Sequence, residues 1–324
     1  AKLGAVLFAL FAVIATLGTG SAVQSSAMTG IICGNFPFIP KWVLALIICF
    51  FVALVIFGGV KSISNVCEKL VPIMAVLYAG GCIVILVINV GYLGEALWMI
   101  LDCAFTGKAV FGGALGSGII CALQFGCARG LFSNESGLGT APIVAAAAST
   151  KNPARQALIA STGTFWSTVV ICLMTGVVLV STMLAHPEIV NSQTLQQGAD
   201  LANAAFATIP FVGTPILVIG MVSFAYSTIL GWSYYGNRCV TYLFGKRAIL
   251  PYQIVYVVVG FFGAIGVGDF VWTISDIGNA LMAIPNIILV LLLSGEIAQA
   301  TRYYIYEDHL DESFDEEIPV VESK

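Results

Sequence analysis

Trp42-Val-Leu-Ala-Leu-Ile-Ile-Cys-Phe-Phe-Val-Ala-Leu-Val-Ile-Phe-Gly-Gly-Val60 runs from Lys41 to Lys61 without one charged side chain. A helix that crosses a bilayer needs about 20 largely apolar residues, and this stretch supplies them. Seven further apolar runs of that size, free of charge save for Arg129 and Asp276, flank it at 3–32, 70–93, 109–129, 156–185, 207–236, 249–268 and 272–295. The first run lacks a small-residue cleavage site and is followed by other spans, so it does not read as a cleaved signal peptide. The composition of the 324 residues agrees, with 59% hydrophobic and 9% charged side chains, where roughly 25% charge is usual for a soluble domain. Mean hydropathy is +0.99. The 34 glycines suit membrane helices whose backbones approach closely. The expected fold class is therefore all-α, a polytopic membrane protein of about eight transmembrane helices, with the lipid bilayer as its solvent. A soluble enzyme, a nucleic-acid binder and a disordered protein are excluded.

The 13 basic and 17 acidic groups are unevenly placed. Eight acids, Glu307, Asp308, Asp311, Glu312, Asp315, Glu316, Glu317 and Glu322, fall in the last 18 residues. Without them and Lys324 the body carries 12 basic against 9 acidic groups. The chain thus divides into a transmembrane part, 1–304, and an acidic tail, 305–324, expected to be disordered. If the eight spans alternate from a cytoplasmic N-terminus, ten basic residues fall inside: Lys2, Lys61, Lys69, Lys151, Arg155, Arg238, Lys246, Arg247, Arg302 and Lys324. Only Lys41 and Lys108 fall outside. That positive-inside bias predicts a multi-pass protein of the cell membrane with a cytoplasmic C-terminus.

Charges within the apolar part are costly and usually functional, which singles out Arg129, Glu135 and Asp276. The first two belong to Gly126-Cys-Ala-Arg-Gly-Leu-Phe-Ser-Asn-Glu-Ser-Gly-Leu-Gly-Thr-Ala-Pro142, a stretch too rich in glycine for a regular helix. One reading is a broken helix that opens backbone groups to a ligand, as transporters do at the membrane midplane. The other is an ordinary cytoplasmic loop starting at Arg129. Gln24, in the polar interruption Thr16–Thr29 of the first run, either binds a zwitterion or bridges two helices. Thr228 and Trp232 lie four apart and share one helix face. Ser227 and Thr228 either offer hydroxyl oxygens to Na⁺ or bond back to their own helix. The aromatics Trp42, Trp98, Tyr252 and Tyr256 are expected in interfacial belts. Nine scattered cysteines and two histidines give no metal spacing. No G-x-S-x-G elbow, P-loop lysine or G-x-G-x-x-G after a strand is present, so no catalytic residue and no enzyme activity is expected.

Together these segments resemble the alanine or glycine:cation symporter family. The resemblance is carried by Arg129–Pro142 and backed by Val71–Tyr78, Phe165–Cys172, Thr228–Gly236 and Pro285-Asn286, and it reaches to about residue 304. In Gly20-Ser-Ala-Val-Gln-Ser-Ser-Ala27 the family's glutamine stands, while serines occupy the places of two asparagines. The resemblance implies a LeuT-type inverted-repeat fold and uptake of a small amino acid, alanine or glycine, coupled to Na⁺ or H⁺, with no other cofactor. It implies a chain that starts at core helix 3, an N-terminally truncated transporter. Carried over residue by residue, it assigns substrate contacts to Gln24, Phe132, Ser133, Asn134, Thr228 and Trp232. Ser227 and Thr228 become sodium ligands, Gly130, Gly137 and Gly139 hinge points of the broken helix, and Arg129 with Glu135 an ion pair or gate. Phe132 and Trp232 would limit the substrate's side chain. The competing expectation is a non-transporting membrane protein or subunit that needs a partner chain.

Overall fold

The computed structural model describes residues 2–105, 130, 133, 135, 137–150, 152–190, 198–266 and 269–312. Among these residues all regular structure is helical. We number the main helices α1 (Lys2–Asn35), α2 (Lys41–Phe57), α3 (Gly59–Ile88), α4 (Leu93–Phe105), α5 (Ala141–Ala145), α6 (Pro153–Ala185), α7 (Gly198–Ala207), α8 (Gly213–Phe244), α9 (Ile249–Ile265), α10 (Asp269–Leu292) and α11 (Ser294–Thr301). Six of the described helical stretches are long and apolar enough to cross a membrane, and α2, at 17 residues, is a shorter apolar helix. Seven of the eight expected spans thus find a helix, and the run 109–129 lies outside the described residues. The chain is a multi-pass membrane protein.

It folds as two compact units, one formed by 1–66, 134–165 and 225–324, the other by 67–133 and 166–224. In the first unit α1 packs on α9 and α10, and α2 packs on α9. The polar interruption in α1 does not break the helix. It widens into π turns over Thr16–Val23, and hydroxyls there bond across to α9. Thr16 Oγ1 lies 2.8 Å from the Tyr252 hydroxyl, Ser21 Oγ donates to the Tyr256 carbonyl at 2.7 Å and Thr29 Oγ1 to the Ala264 carbonyl at 2.8 Å. Such cross-helix bonds are worth about 0.6 kcal/mol each in a membrane. The helices approach so closely that a Cβ added to Gly263 would meet the backbone of Ala22. This packing overturns the interfacial-belt expectation for two aromatics. Tyr252 and Tyr256 are buried, and the Tyr256 hydroxyl donates to the Ile229 carbonyl of α8 at 2.7 Å. The expectation followed the amphipathic chemistry of tyrosine, but a buried phenol is equally satisfied when a neighbouring helix supplies the acceptor.

In the second unit α4 packs on the Leu173–Ala185 part of α6. Tyr78 stacks on Phe206 with centroids 5.6 Å apart and places its hydroxyl 2.8 Å from Thr175 Oγ1. Helix α7 ends at Ala207, and a turn through Phe211, with φ 63° and its side chain fully exposed, precedes α8.

The start of α6 is held from outside the helix. Asn152, 1% exposed, accepts at Oδ1 from the backbone N–H groups of Ala154 and Arg155, capping the helix. Its Nδ2 donates to the carbonyls of Leu310 and Glu312 at 3.1 and 2.9 Å. Arg155 adds bonds to the Leu310 carbonyl and the Asp311 carboxylate. Tyr303 stacks on His309 at 4.2 Å and donates to Glu312 at 2.9 Å. Residues 305–312, grouped with the acidic tail by composition, therefore carry a defined set of contacts, and 313–324 lie outside the described residues.

Candidate functional site

Helix α8 is continuous through the hydroxyl- and aromatic-rich stretch, so its side chains follow helical spacing. Positions 228, 232 and 235 fall on one face. Trp232 is 1% exposed. On one side it meets α1, where a Cβ added to Gly20 would collide with the tryptophan's own Cβ. On the other its indole N–H donates to Glu135 Oε1 at 2.9 Å.

Glu135 opens the glycine-rich loop that leads into α5. Its φ of 57° is left-handed, a region that costs a side-chain-bearing residue roughly 1–2 kcal/mol. The loop around it shows what holds that conformation. The Leu138 amide donates to the Glu135 carbonyl at 3.0 Å, closing a turn. Gly139 has φ 84°, and a Cβ there would meet the Phe8 ring and Asn286 Oδ1. Asn286, following Pro285 in α10, donates from Nδ2 to the Gly137 carbonyl at 3.0 Å. Leu138 and Thr140 are completely buried.

The carboxyl group gathers three donors. Trp232 takes Oε1, while Thr140 Oγ1 and the Tyr235 hydroxyl donate to Oε2 at 3.0 and 3.1 Å. The Trp232 and Tyr235 rings meet edge to face with centroids 5.8 Å apart. All three donors are neutral, and among the described residues no lysine or arginine pairs with Glu135. A carboxyl held this way can fix aromatic side chains on a neighbouring helix as firmly as it is fixed itself.

The structure brings Glu135, Gly137, Gly139 and Trp232 into one cluster. Gln24 is half-buried, and its Nε2 donates at 3.4 Å to the Thr19 carbonyl of its own helix. Ser227 and Thr228 are half-buried on α8. Gly130 and Ser133 belong to the second unit, where Ser133 Oγ lies 3.5 Å from Cys172 Sγ. Arg129, Phe132 and Asn134 lie outside the described residues, and so does any pairing of Arg129 with Glu135. Three members of the cluster carry no role in the sequence reading: Thr140, Tyr235 and Asn286. Tyr235 follows Trp232 by three positions, a helical neighbour that spacing alone can flag. Thr140 and Asn286 carry no such local signal.

A family model described as the sodium:alanine symporter family matches residues 1–317. A sodium/alanine symporter, AgcS, of Methanococcus maripaludis is 44% identical over 307 residues, which cover 94% of this chain and 65% of that protein. A protein of Bacillus subtilis named probable sodium/glutamine symporter GlnT is 33% identical, covering 91% of this chain and 61% of the relative. A sodium/proton-dependent alanine carrier protein of a Bacillus species, strain PS3, is 30% identical, covering 86% and 64%. The chain spans less than two thirds of the length of each of these relatives.

Proposed function

The chain belongs to the sodium:alanine symporter family, and we propose that it carries a small neutral amino acid, alanine or glycine, across the cell membrane together with Na⁺. Alternating access would serve as the transport cycle. The observation that carries this reading is the Glu135–Trp232 cluster, a polar, backbone-strained loop held against a buried aromatic inside a membrane helix bundle. Within a membrane, polar groups persist where they are enclosed by protein or line a cavity.

In this reading Gln24, Phe132, Ser133, Asn134, Thr228 and Trp232 contact the substrate. A zwitterion needs donors for its carboxylate, a role this reading gives to backbone amides of the glycine-rich stretch 130–139. Its ammonium needs oxygen acceptors, which Gln24 and free carbonyls supply. Phe132 and Trp232 set the permitted side-chain volume, since overfilling an apolar pocket is costly. Ser227 and Thr228 give hydroxyl oxygens to Na⁺. Ion binding then drives transport only through its different affinity for the two gate states.

The C-terminal segment is proposed to be cytoplasmic. The ten-to-two division of basic residues supports this, and so does the bond from Asn152 to residues 310 and 312, which puts the start of α6 and the C-terminal segment together. The proton is the second candidate for the coupling ion, favoured by the sodium/proton-dependent relative. The test is binding of radiolabelled alanine to the full-length gene product by scintillation proximity. Binding that rises with Na⁺, and loses that dependence in Ser227→Ala/Thr228→Ala, is expected. A pH dependence without a Na⁺ dependence selects the proton. No amino-acid binding under either condition supports a non-transporting membrane protein.

A further inference from the structure

We propose that Glu135 is the positioning residue that fixes the indole of Trp232 and thereby sets which substrate side chains are admitted. The inference rests on the reading of Trp232 as a substrate wall, and it adds the device that holds that wall in place.

The carboxyl group uses both oxygens, and on different partners. Oε1 takes the indole N–H at 2.9 Å, while Oε2 takes Thr140 and Tyr235 at 3.0 and 3.1 Å. Bonds on both oxygens fix the plane of the carboxyl, so the indole meets an acceptor that cannot rotate away. Tyr235 also packs edge to face on the same indole, so one carboxyl orients two rings that touch each other. Behind the indole stands Gly20, where no side chain fits. Trp232 is thus held by a hydrogen bond in front and a helix backbone behind.

The left-handed backbone of Glu135 aims its side chain at α8, and the surrounding loop over-determines it. Turn closure at Leu138, the Asn286 bond to Gly137 and the close approach of Gly139 to α10 all act within five residues. Strain kept by this many independent contacts marks a position whose geometry is used. A glutamine at 135 matches the shape but replaces one acceptor oxygen by an NH₂ donor. The indole N–H can bond only an oxygen, so the NH₂ turns to the Thr140 and Tyr235 hydroxyls, which must then accept instead of donate, and the set of bonds that fixes the carboxyl plane is rearranged.

The experiment compares Glu135→Gln, Trp232→Phe and the double variant in the full-length gene product, with Tyr235→Phe as a milder variant should Glu135→Gln not fold. Competition by leucine against labelled alanine gives the selectivity, and near-ultraviolet circular dichroism reads the environment of the indole. Glu135→Gln is expected to shift the leucine-to-alanine preference roughly tenfold toward leucine, the scale on which pocket fit discriminates side chains. Trp232→Phe should give a similar shift, and the double variant no more than either alone, because coupled residues are not additive. Tyr235→Phe should move the ratio the same way by about threefold, since it removes one of two donors on Oε2. The dichroism difference between Glu135→Gln and wild type should vanish in the Trp232→Phe background. A Glu135→Gln or Tyr235→Phe protein with wild-type selectivity, or effects that add to those of Trp232→Phe, would overturn the proposal. If Trp232→Phe itself leaves selectivity unchanged while the dichroism coupling persists, the substrate-wall reading fails and the contact between the two residues stands.

Discussion

Glu135 and Asn152 are both polar, both in the first unit and both satisfied by several hydrogen bonds, yet their partners differ in kind. Among the described residues the Asn152 amide bonds only backbone atoms: two N–H groups at the start of α6 and two carbonyls near the C-terminus. The Glu135 carboxyl bonds only side chains there, those of Thr140, Trp232 and Tyr235. Backbone partners are present whatever the neighbouring residues are, so a side chain tied to them serves architecture. Side-chain partners must be chosen residue by residue, so a group tied to them serves the placement of those particular residues. The contrast separates a structural latch from a functional one within a single unit.

The largest effect is expected from Asn152→Ala, which removes a helix cap and leaves two carbonyls without their donor. Losses of that kind sum to about 2–3 kcal/mol. Thermal unfolding in detergent should show a lower Tm, and hydrogen exchange should rise at residues 302–312. Asn152→Asp keeps the cap oxygen and loses the donors, so it should retain Tm better than Ala while exchange at 302–312 still rises. If both variants leave the exchange of that segment unchanged, Asn152 is not the latch. Gly139→Ala comes next, at about 1–2 kcal/mol, because it combines an unfavourable φ with contacts on Phe8 and Asn286. It should also shift leucine-to-alanine selectivity, since the loop that aims Glu135 moves, whereas Asn152→Ala should not. Tyr252→Phe removes the bond to Thr16, and a Tm loss corresponding to about 0.6 kcal/mol is expected.

The smallest effect is at the surface. Glu188 is exposed, and its own backbone N–H, followed by the His186 ring, holds its carboxyl below the usual glutamate value. A depressed native pKa contributes stability above the unfolded value and loses it as pH falls through the native one. Solvent screens that contribution at an exposed pair, so Glu188→Gln should leave the acid limb of a Tm–pH profile unchanged. A clear change there would mean that surface pairs count for more in this protein than the buried contrast implies.

Much of this was legible in the sequence, for identifiable reasons. Long apolar runs give the spans because lipid demands length and apolarity together, and the positions of α1, α2, α3, α6, α8, α9 and α10 follow from them. Glu135 and Trp232 are each visible alone, one as a charge in an apolar region and the other by its spacing from Thr228. Their pairing is not visible, because it joins residues 97 apart through the packing of a loop on a helix. The polar stretch in α1 marks a real irregularity, but not that hydroxyl bonds to α9 let the helix continue through it. Tyr252 and Tyr256 mislead for the same reason: which face of α9 meets another helix depends on tertiary contacts that spacing does not carry.

The most direct test of the central claim is alanine uptake by the full-length gene product reconstituted in liposomes, with an imposed inward Na⁺ gradient. Accumulation of alanine above its external concentration, abolished by a sodium ionophore, is the predicted result. Alanine flux that neither a sodium nor a proton gradient drives uphill, from protein shown to be folded, would contradict it.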